Sequence, residues 1–214
     1  MGSLYIVRHG ETEWNAEGKM QGQTDIALSD KGRDQARAVA HRLRDCTFDA
    51  AYSSDLRRTR ETAEVILGDS RASLQAIPLL REYRKGVFEG LTVHERARQL
   101  PDEHRASLVN DLDFAPSGGG ESTRECNARL AKFAEILLER HMDDRVLVVG
   151  HGGSLRCLLV ALMDLPLEAN WKFVMHNCAL SVVYTYPDNA VLHLYNDTGH
   201  LNAGYPNVST AGTA

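Results

Sequence analysis

Arg8 and His9 close a short apolar run, Leu4-Tyr5-Ile6-Val7, and Gly10 follows them directly. An arginine and a histidine at the mouth of a buried strand form a place to hold an anion and react with it. A neutral imidazole can attack phosphorus, and an arginine fork suits phosphate oxygens. Two further stretches carry matching chemistry. Arg57 and Arg58 stand at the start of an amphipathic pattern, and His151-Gly152-Gly153 ends a second apolar run, Arg145 to Gly150. A helix opening at Gly152 adds free amides and a favourable dipole for an anion. A leaving alkoxide needs a proton; Glu82, just after Leu79-Leu80, is the candidate carboxyl group.

Each residue has an ordinary alternative. Arg57 and Arg58 can be solvated helix charges facing Glu61 at i,i+4 and i,i+3. Glu82 can be a surface carboxylate, and His151-Gly152-Gly153 a tight turn between strand and helix. His41, His94, His104 and His141 lie in polar, helical surroundings and receive no role.

The elements that must bring these residues together are legible as periodicity. Leu4 to Val7, Asp49 to Ser53 and Arg145 to Gly150 read as buried strands, and Leu74 to Ile77 as a further one. Helices are expected from Ser29 to about Arg44, from Ser54-Asp55 to Leu67, from the capping box Ser122/Glu125 onward, and from about Ser154 to Met163. Asn177 to Tyr186 and Val191 to Tyr195 read as two late strands, and the small polar tail from Asn202 as a fraying end. Alternating strands and helices predict a three-layer α/β/α sandwich, with a mostly parallel central sheet and helices on both faces. In such sheets ligands bind beyond the carboxyl ends of the strands, where Arg8-His9, Arg57-Arg58 and His151-Gly152 would meet.

The 214 residues suit a single domain, 1–214, with a cap-like insertion at about 84–120, the stretch with the least regular pattern. A formal net charge of −5 provides no global basic field for nucleic acid or an anionic membrane. The longest apolar stretch, Leu158 to Met163, is too short to span a bilayer. Cys46, Cys126, Cys157 and Cys178 are widely spaced, which argues against a disulfide framework or a zinc site and for reduced thiols in a cytoplasmic protein. The apolar helix after His151 and the late strands leave room for a homodimer edge as well as for core.

Taken in order, several motifs form one pattern: Arg8-His9-Gly10-Glu11-Thr12 with Trp14-Asn15, Gln21-Gly22, Ser53 to Ala63, Leu80-Arg81-Glu82 and Gly150-His151-Gly152-Gly153. This pattern resembles the histidine phosphatase superfamily, in its phosphoglycerate-mutase-like branch, from Leu4 to about Leu201. The resemblance implies that His9 is the phosphorylated nucleophile, that Arg8, Arg58 and His151 complete the phosphate pocket, and that Glu82 is the proton donor. Arg58 rather than Arg57 matches, because the family arginine stands four residues before the Thr-Ala pair, here Thr62-Ala63. Asn15, Gln21, Gly22 and Gly152 match pocket-lining positions, and Arg60 matches one found in some members only. No metal and no cofactor are implied, and the partner is a small phosphorylated metabolite.

The family contains phosphatases and mutases. Its mutases typically carry Glu-Arg-x-Tyr-Gly at the proton donor and a long basic insertion after it. Here Glu82-Tyr83-Arg84-Lys85-Gly86 places Lys85 where the tyrosine would be, and the stretch to Gly118 is short. These departures favour a metal-independent phosphatase acting on small phosphomonoesters. A cofactor-dependent phosphoglycerate mutase is the alternative, and a non-catalytic phosphate-binding relative a second. Arg84, Lys85, Arg96, Arg98 and Arg105 are open to two readings, recognition of a second anionic group or a solvated helical face.

Overall fold

Six strands form one sheet in the order β3-β2-β4-β1-β5-β6. The computed structural model describes residues 1–201, and the tail expected to fray lies outside them. In chain order the elements are β1 (Gly2–Arg8), α1 (Glu13–Ala16), α2 (Asp30–Arg42), β2 (Ala50–Ser53), α3 (Arg57–Leu67), β3 (Leu74–Ala76), α4 (Val93–Gln99), α5 (Pro101–Ser107), α6 (Thr123–Arg140), β4 (Arg145–Gly150), α7 (Gly152–Leu162), β5 (Leu180–Tyr186) and β6 (Asn189–Asp197). The strands β3, β2, β4 and β1 run parallel, and β5 and β6 add an antiparallel hairpin at one edge.

The continuous apolar character of β4 follows from burial on both faces. Val146 and Val148 point into a core built with Leu130 and Phe133 of α6 and Leu155, Leu158 and Leu159 of α7. Leu147 and Val149 point into the opposite core, with Val39 of α2 and Ala63 and Ile66 of α3. The expected α/β/α sandwich is therefore the observed architecture.

This layering also creates the crevice. The chain leaves β1 toward α2 on one face, and leaves the neighbouring parallel strand β4 toward α7 on the other. Adjacent strands whose connections part to opposite faces leave a gap beyond their carboxyl ends, the switch point where α/β sheets bind ligands. Arg8 pairs in register with Gly150, and the His9 amide donates to the Gly150 carbonyl at 3.0 Å.

Some boundaries differ from expectation for local reasons. Strand β5 starts at Leu180 rather than Asn177, because Cys178 adopts φ 53° and its amide turns back to the Arg8 carbonyl at 2.9 Å. The pair Leu79-Leu80 before Glu82 is not strand-like. Pro78 opens a 3₁₀ turn, Pro78–Leu80, whose geometry suits a fixed proline φ. Helix α3 begins at Arg57, not at Ser54-Asp55; its cap comes from a distance, as the Arg57 amide donates to Asp25 Oδ1 at 2.6 Å. Helix α7 begins at Gly152, two residues earlier than expected. All four cysteines are free. No helix among the described residues is long and apolar enough to cross a membrane.

Candidate active site

His9 and His151 meet in the crevice, ring centroids 5.1 Å apart and edge to face. His9 is buried, and its Nδ1 lies 2.7 Å from the Gly10 carbonyl. A carbonyl only accepts, so this contact assigns the proton to Nδ1 and leaves the lone pair on Nε2. Burial, then the charges of Arg58 and Arg8, hold the imidazole well below the usual histidine range, so it stays neutral. Its position is fixed from three sides. The Gly10 amide donates to Thr62 Oγ1 at 3.1 Å, and the His9 carbonyl accepts from Asn177 Nδ2 at 3.0 Å. Gly10 itself sits tightly against Gly32, whose carbonyl oxygen would be 2.4 Å from a Cβ at position 10.

Arg58 is fully buried in the first turn of α3. Its Nη1 donates to the Thr24 carbonyl at 2.9 Å, its Nη2 to the Gly22 carbonyl at 2.7 Å, and its Nε to His151 Nδ1 at 3.1 Å. Burial pulls its pKa down to about 10, still charged at neutral pH, with Glu82 and Asp25 countering the shift. Because His151 accepts on Nδ1, its proton lies on Nε2, a buried donor with no hydrogen-bond partner. Burial first, then Arg58, keeps His151 neutral as well. An uncompensated buried donor costs about 1–3 kcal/mol. Gln21 adds a second such donor: its Oε1 accepts from Thr12 Oγ1 at 3.1 Å, and its buried Nε2 is unpartnered. Arg8 reaches across from β1, donating through Nη1 to the Met175 carbonyl at 2.6 Å.

Glu82 closes the other side. Its Oε2 accepts from the Gly153 amide at 2.9 Å, and its Oε1 from the amides of Ser154 and Tyr83, both at 3.0 Å. The carboxylate thus caps the N-terminus of α7, where the helix dipole favours negative charge. Burial acts to raise its pKa, but Lys85 and the amides of Gly153 and Tyr83 outweigh it and hold the group below the ordinary glutamate value. Gly153 is required for this approach, because a Cβ there would lie 2.5 Å from Glu82 Oε1 and 2.6 Å from the Tyr83 ring.

A cavity of about 530 Å³ opens onto these groups. Arg8, His9, Arg58, Glu82, Asn15, Gln21 and Gly152 line it; His151, also expected in the pocket, is fully buried beside His9 and Arg58 and is not part of the lining. Gly22 serves from behind, through the carbonyl that holds Arg58. Arg60 is not brought in. It lies two residues beyond Arg58, so the helical repeat turns it away from the crevice to solvent. Arg57 is likewise exposed and pairs with Glu61 at 2.5 Å, the ordinary alternative for that residue. Of the five cations of the 84–120 stretch, Lys85 and Arg96 line the cavity, whereas Arg84, Arg98 and Arg105 are exposed.

Sequence reasoning missed Arg156, another lining residue. Its signal was a lone arginine in an apolar helix, four residues after Gly152 and so on the same face. It also missed Asp25 and Asn177, which are linked to the site only through tertiary contacts. Among the described residues no cluster of His, Cys, Asp and Glu is arranged to hold a metal ion.

A sequence profile of the histidine phosphatase superfamily (branch 1) matches residues 4–198. The chain belongs to the histidine phosphatase superfamily. It is 35% identical over 206 residues to a protein named probable phosphoglycerate mutase from Escherichia fergusonii, covering 94% of this chain and 95% of that one. Among solved structures it is similar to the α-ribazole phosphatase of Shigella flexneri (TM-score 0.84, 28% identity, 91% of this chain and 96% of that one). It is also similar to a phosphoserine phosphatase of Entamoeba histolytica, solved with phosphoserine (TM-score 0.82, 31% identity, 94% and 100%). Superfamily membership and these neighbours support an enzyme of phosphatase or mutase type.

Proposed function

We propose that this protein is a metal-independent phosphatase that hydrolyses small phosphomonoesters through a phosphohistidine on His9. The observation that carries the reading is a neutral, oriented His9 that shares one cavity with Arg8, Arg58, Glu82 and Gln21, whose buried Nε2 has no partner. The substrate phosphoryl group is held by Arg8, Arg58, His151 and the first turn of α7, and Asn15 and Gln21 add polar contacts. His9 Nε2 attacks phosphorus, the P–O bond to the leaving group breaks, and Glu82 delivers a proton to the departing alkoxide oxygen. Glu82, now a carboxylate, then takes a proton from water as its oxygen attacks the phosphohistidine. Inorganic phosphate leaves with that proton, and neutral His9 and the Glu82 carboxylate are restored; the next substrate monoanion brings the proton for the next cycle. Arginines and a neutral histidine disperse the charge on the phosphoryl oxygens, the task a metal ion performs elsewhere.

The exposed placement of Arg98 and Arg105 supports hydrolysis over transfer, since a mutase needs a closed, basic lid to keep water from the phosphoenzyme. The mutase reading has its support in the name carried by the E. fergusonii relative. One assay separates them. With 3-phosphoglycerate and a trace of bisphosphoglycerate, the expected result is release of inorganic phosphate with little 2-phosphoglycerate. Isomerisation faster than phosphate release would overturn the phosphatase reading.

A further inference from the structure

The loop that holds Arg58 is itself held by one carboxylate, that of Glu89. The Met20 amide donates to the Leu91 carbonyl and the Gly90 amide to the Met20 carbonyl, both at 2.9 Å, which lays residues 22–24 along Glu89. These three residues have no regular secondary structure, so their amides need partners from elsewhere. Glu89 supplies them. Its Oε1 accepts from the Gln23 amide at 3.0 Å, and its Oε2 accepts from the Thr24 amide at 3.0 Å and from the Thr24 hydroxyl. Gly22 makes room for this approach, because a Cβ there would lie 2.1 Å from Glu89 Oε1. Burial acts to raise the pKa of Glu89, but the Thr24 hydroxyl and the amides of Gln23, Thr24 and Lys85 outweigh it and keep the group a carboxylate at neutral pH.

Arg58 meets the same loop from the other side. The Gly22 carbonyl accepts from Arg58 Nη2 at 2.7 Å, while the amide of the same peptide unit, that of Gln23, donates to Glu89. In a trans peptide the C=O and N–H point in opposite directions, so this unit is gripped between a carboxylate and a guanidinium. Thr24 repeats the arrangement, with its amide on Glu89 and its carbonyl on Arg58 Nη1 at 2.9 Å. Hydrogen bonds in such a chain polarise one another. The loop is also fastened to the segment of the proton donor. Gln23 Nε2 donates to the Glu82 carbonyl at 3.0 Å, and the Lys85 amide donates to Glu89 Oε1 at 3.3 Å.

We infer that Glu89 is a positioning residue for the phosphoryl site: through the Gly22–Thr24 loop it sets the place of Arg58 and so the grip on the transferred group. That consequence for turnover rests on the phosphatase reading, whereas the coupling of Glu89 to Arg58 stands apart from it. Without the carboxylate, the amides of Gln23 and Thr24 lose their acceptors, and the two carbonyls that aim Arg58 lose their fixed direction.

Glu89→Gln keeps the size of the side chain, removes its charge and puts an NH₂ group among the donors of the loop. In the folded variant, Kd for inorganic phosphate measured by titration calorimetry should rise about tenfold, and kcat/KM for p-nitrophenyl phosphate should fall about tenfold or more. Glu89→Asp keeps the charge and should recover part of both losses. Glu95 accepts from the Thr92 amide and hydroxyl, both at 2.8 Å, and caps α4; Glu95→Gln removes an equal charge and should leave both quantities within about twofold. A double-mutant cycle with Arg58→Met tests the route: in that background Glu89→Gln should change kcat/KM and the urea midpoint less than about half as much as in the wild-type protein. If Arg58→Met does not fold, Arg58→Lys takes its place. The inference would be overturned by phosphate affinity and kcat/KM within about twofold of wild type in folded Glu89→Gln, even with a lowered urea midpoint, since Glu89 would then be a structural staple only. Equal losses in the two backgrounds would overturn it as well. Failure of the wild-type protein to hydrolyse any phosphomonoester would count against the phosphatase reading alone, because the urea cycle still reports the coupling of Glu89 to Arg58.

Discussion

His9 has one ring nitrogen committed to the Gly10 carbonyl and the other aimed at the cavity. Two outcomes follow at this scale. His9→Ala should lower kcat by about a thousandfold or more while leaving the fold intact, as read by phosphate release and circular dichroism. Retained turnover would remove His9 from the chemistry. The second outcome concerns pH. His9 is held well below the usual histidine range, so it is the neutral nucleophile at and above neutral pH. Glu82 is held low, so in the free enzyme it is a carboxylate at those pH values. The proton it must donate therefore arrives with the substrate monoanion, whose second ionisation lies near pH 6 for ordinary phosphomonoesters. Accordingly kcat/KM should fall by about tenfold per pH unit above about pH 6. A profile that instead rises from pH 6 to 8 would contradict this sharing of one proton between Glu82 and phosphate.

At the scale of elements, the start of α7 matters most. Its first amides meet Glu82 on one side, and on the other Gly152 lies against Arg8, whose Nε would be 3.4 Å from a Cβ there. Gly153→Ala would drive a methyl group into Glu82 and Tyr83. It should cost about 1–3 kcal/mol of stability, the usual range for forcing extra atoms into a packed site, and lower kcat/KM more than tenfold. Ser122 offers a comparison on α6, far from the chemistry, where its Oγ accepts from the Glu125 amide at 3.2 Å. Ser122→Ala should cost about 1 kcal/mol by loss of the cap, with kcat/KM unchanged. Denaturant titration and steady-state kinetics on both variants check the contrast. Similar kinetic losses in the two would mean that α7 acts only through global stability.

Across the whole molecule, the net charge is −5, yet the crevice gathers Arg8, Arg58, Lys85, Arg96 and Arg156. The positive field is local, built from side chains that the sheet order brings to one edge. If these cations and His151 carry the electrostatic work, incubation with excess EDTA and dialysis should leave kcat/KM within about twofold. Loss of activity, restored by a divalent cation, would overturn the metal-free mechanism.

The sequence by itself determined the parts whose physics is local. Apolar runs such as β4 read as doubly buried strands, Ser29 and Ser122 read as caps because a hydroxyl there meets an amide three residues on, and Arg8-His9-Gly10 marked a strand end with reactive groups. The ordered set of motifs was enough to place the chain in its superfamily and to name His9, Arg58, Glu82 and His151. Tertiary structure decided that Arg60 does not join Arg58. Arg58 and Arg60 look alike in sequence, but only Arg58 meets the Gly22 and Thr24 carbonyls and His151. It likewise decided that Lys85 and Arg96 turn toward the cavity while Arg98 and Arg105 face water, and that Arg156 joins them from a helix that otherwise reads as core. The physical reason is the same each time: a side chain's compensation for burial comes from groups distant in sequence, and no local periodicity encodes them.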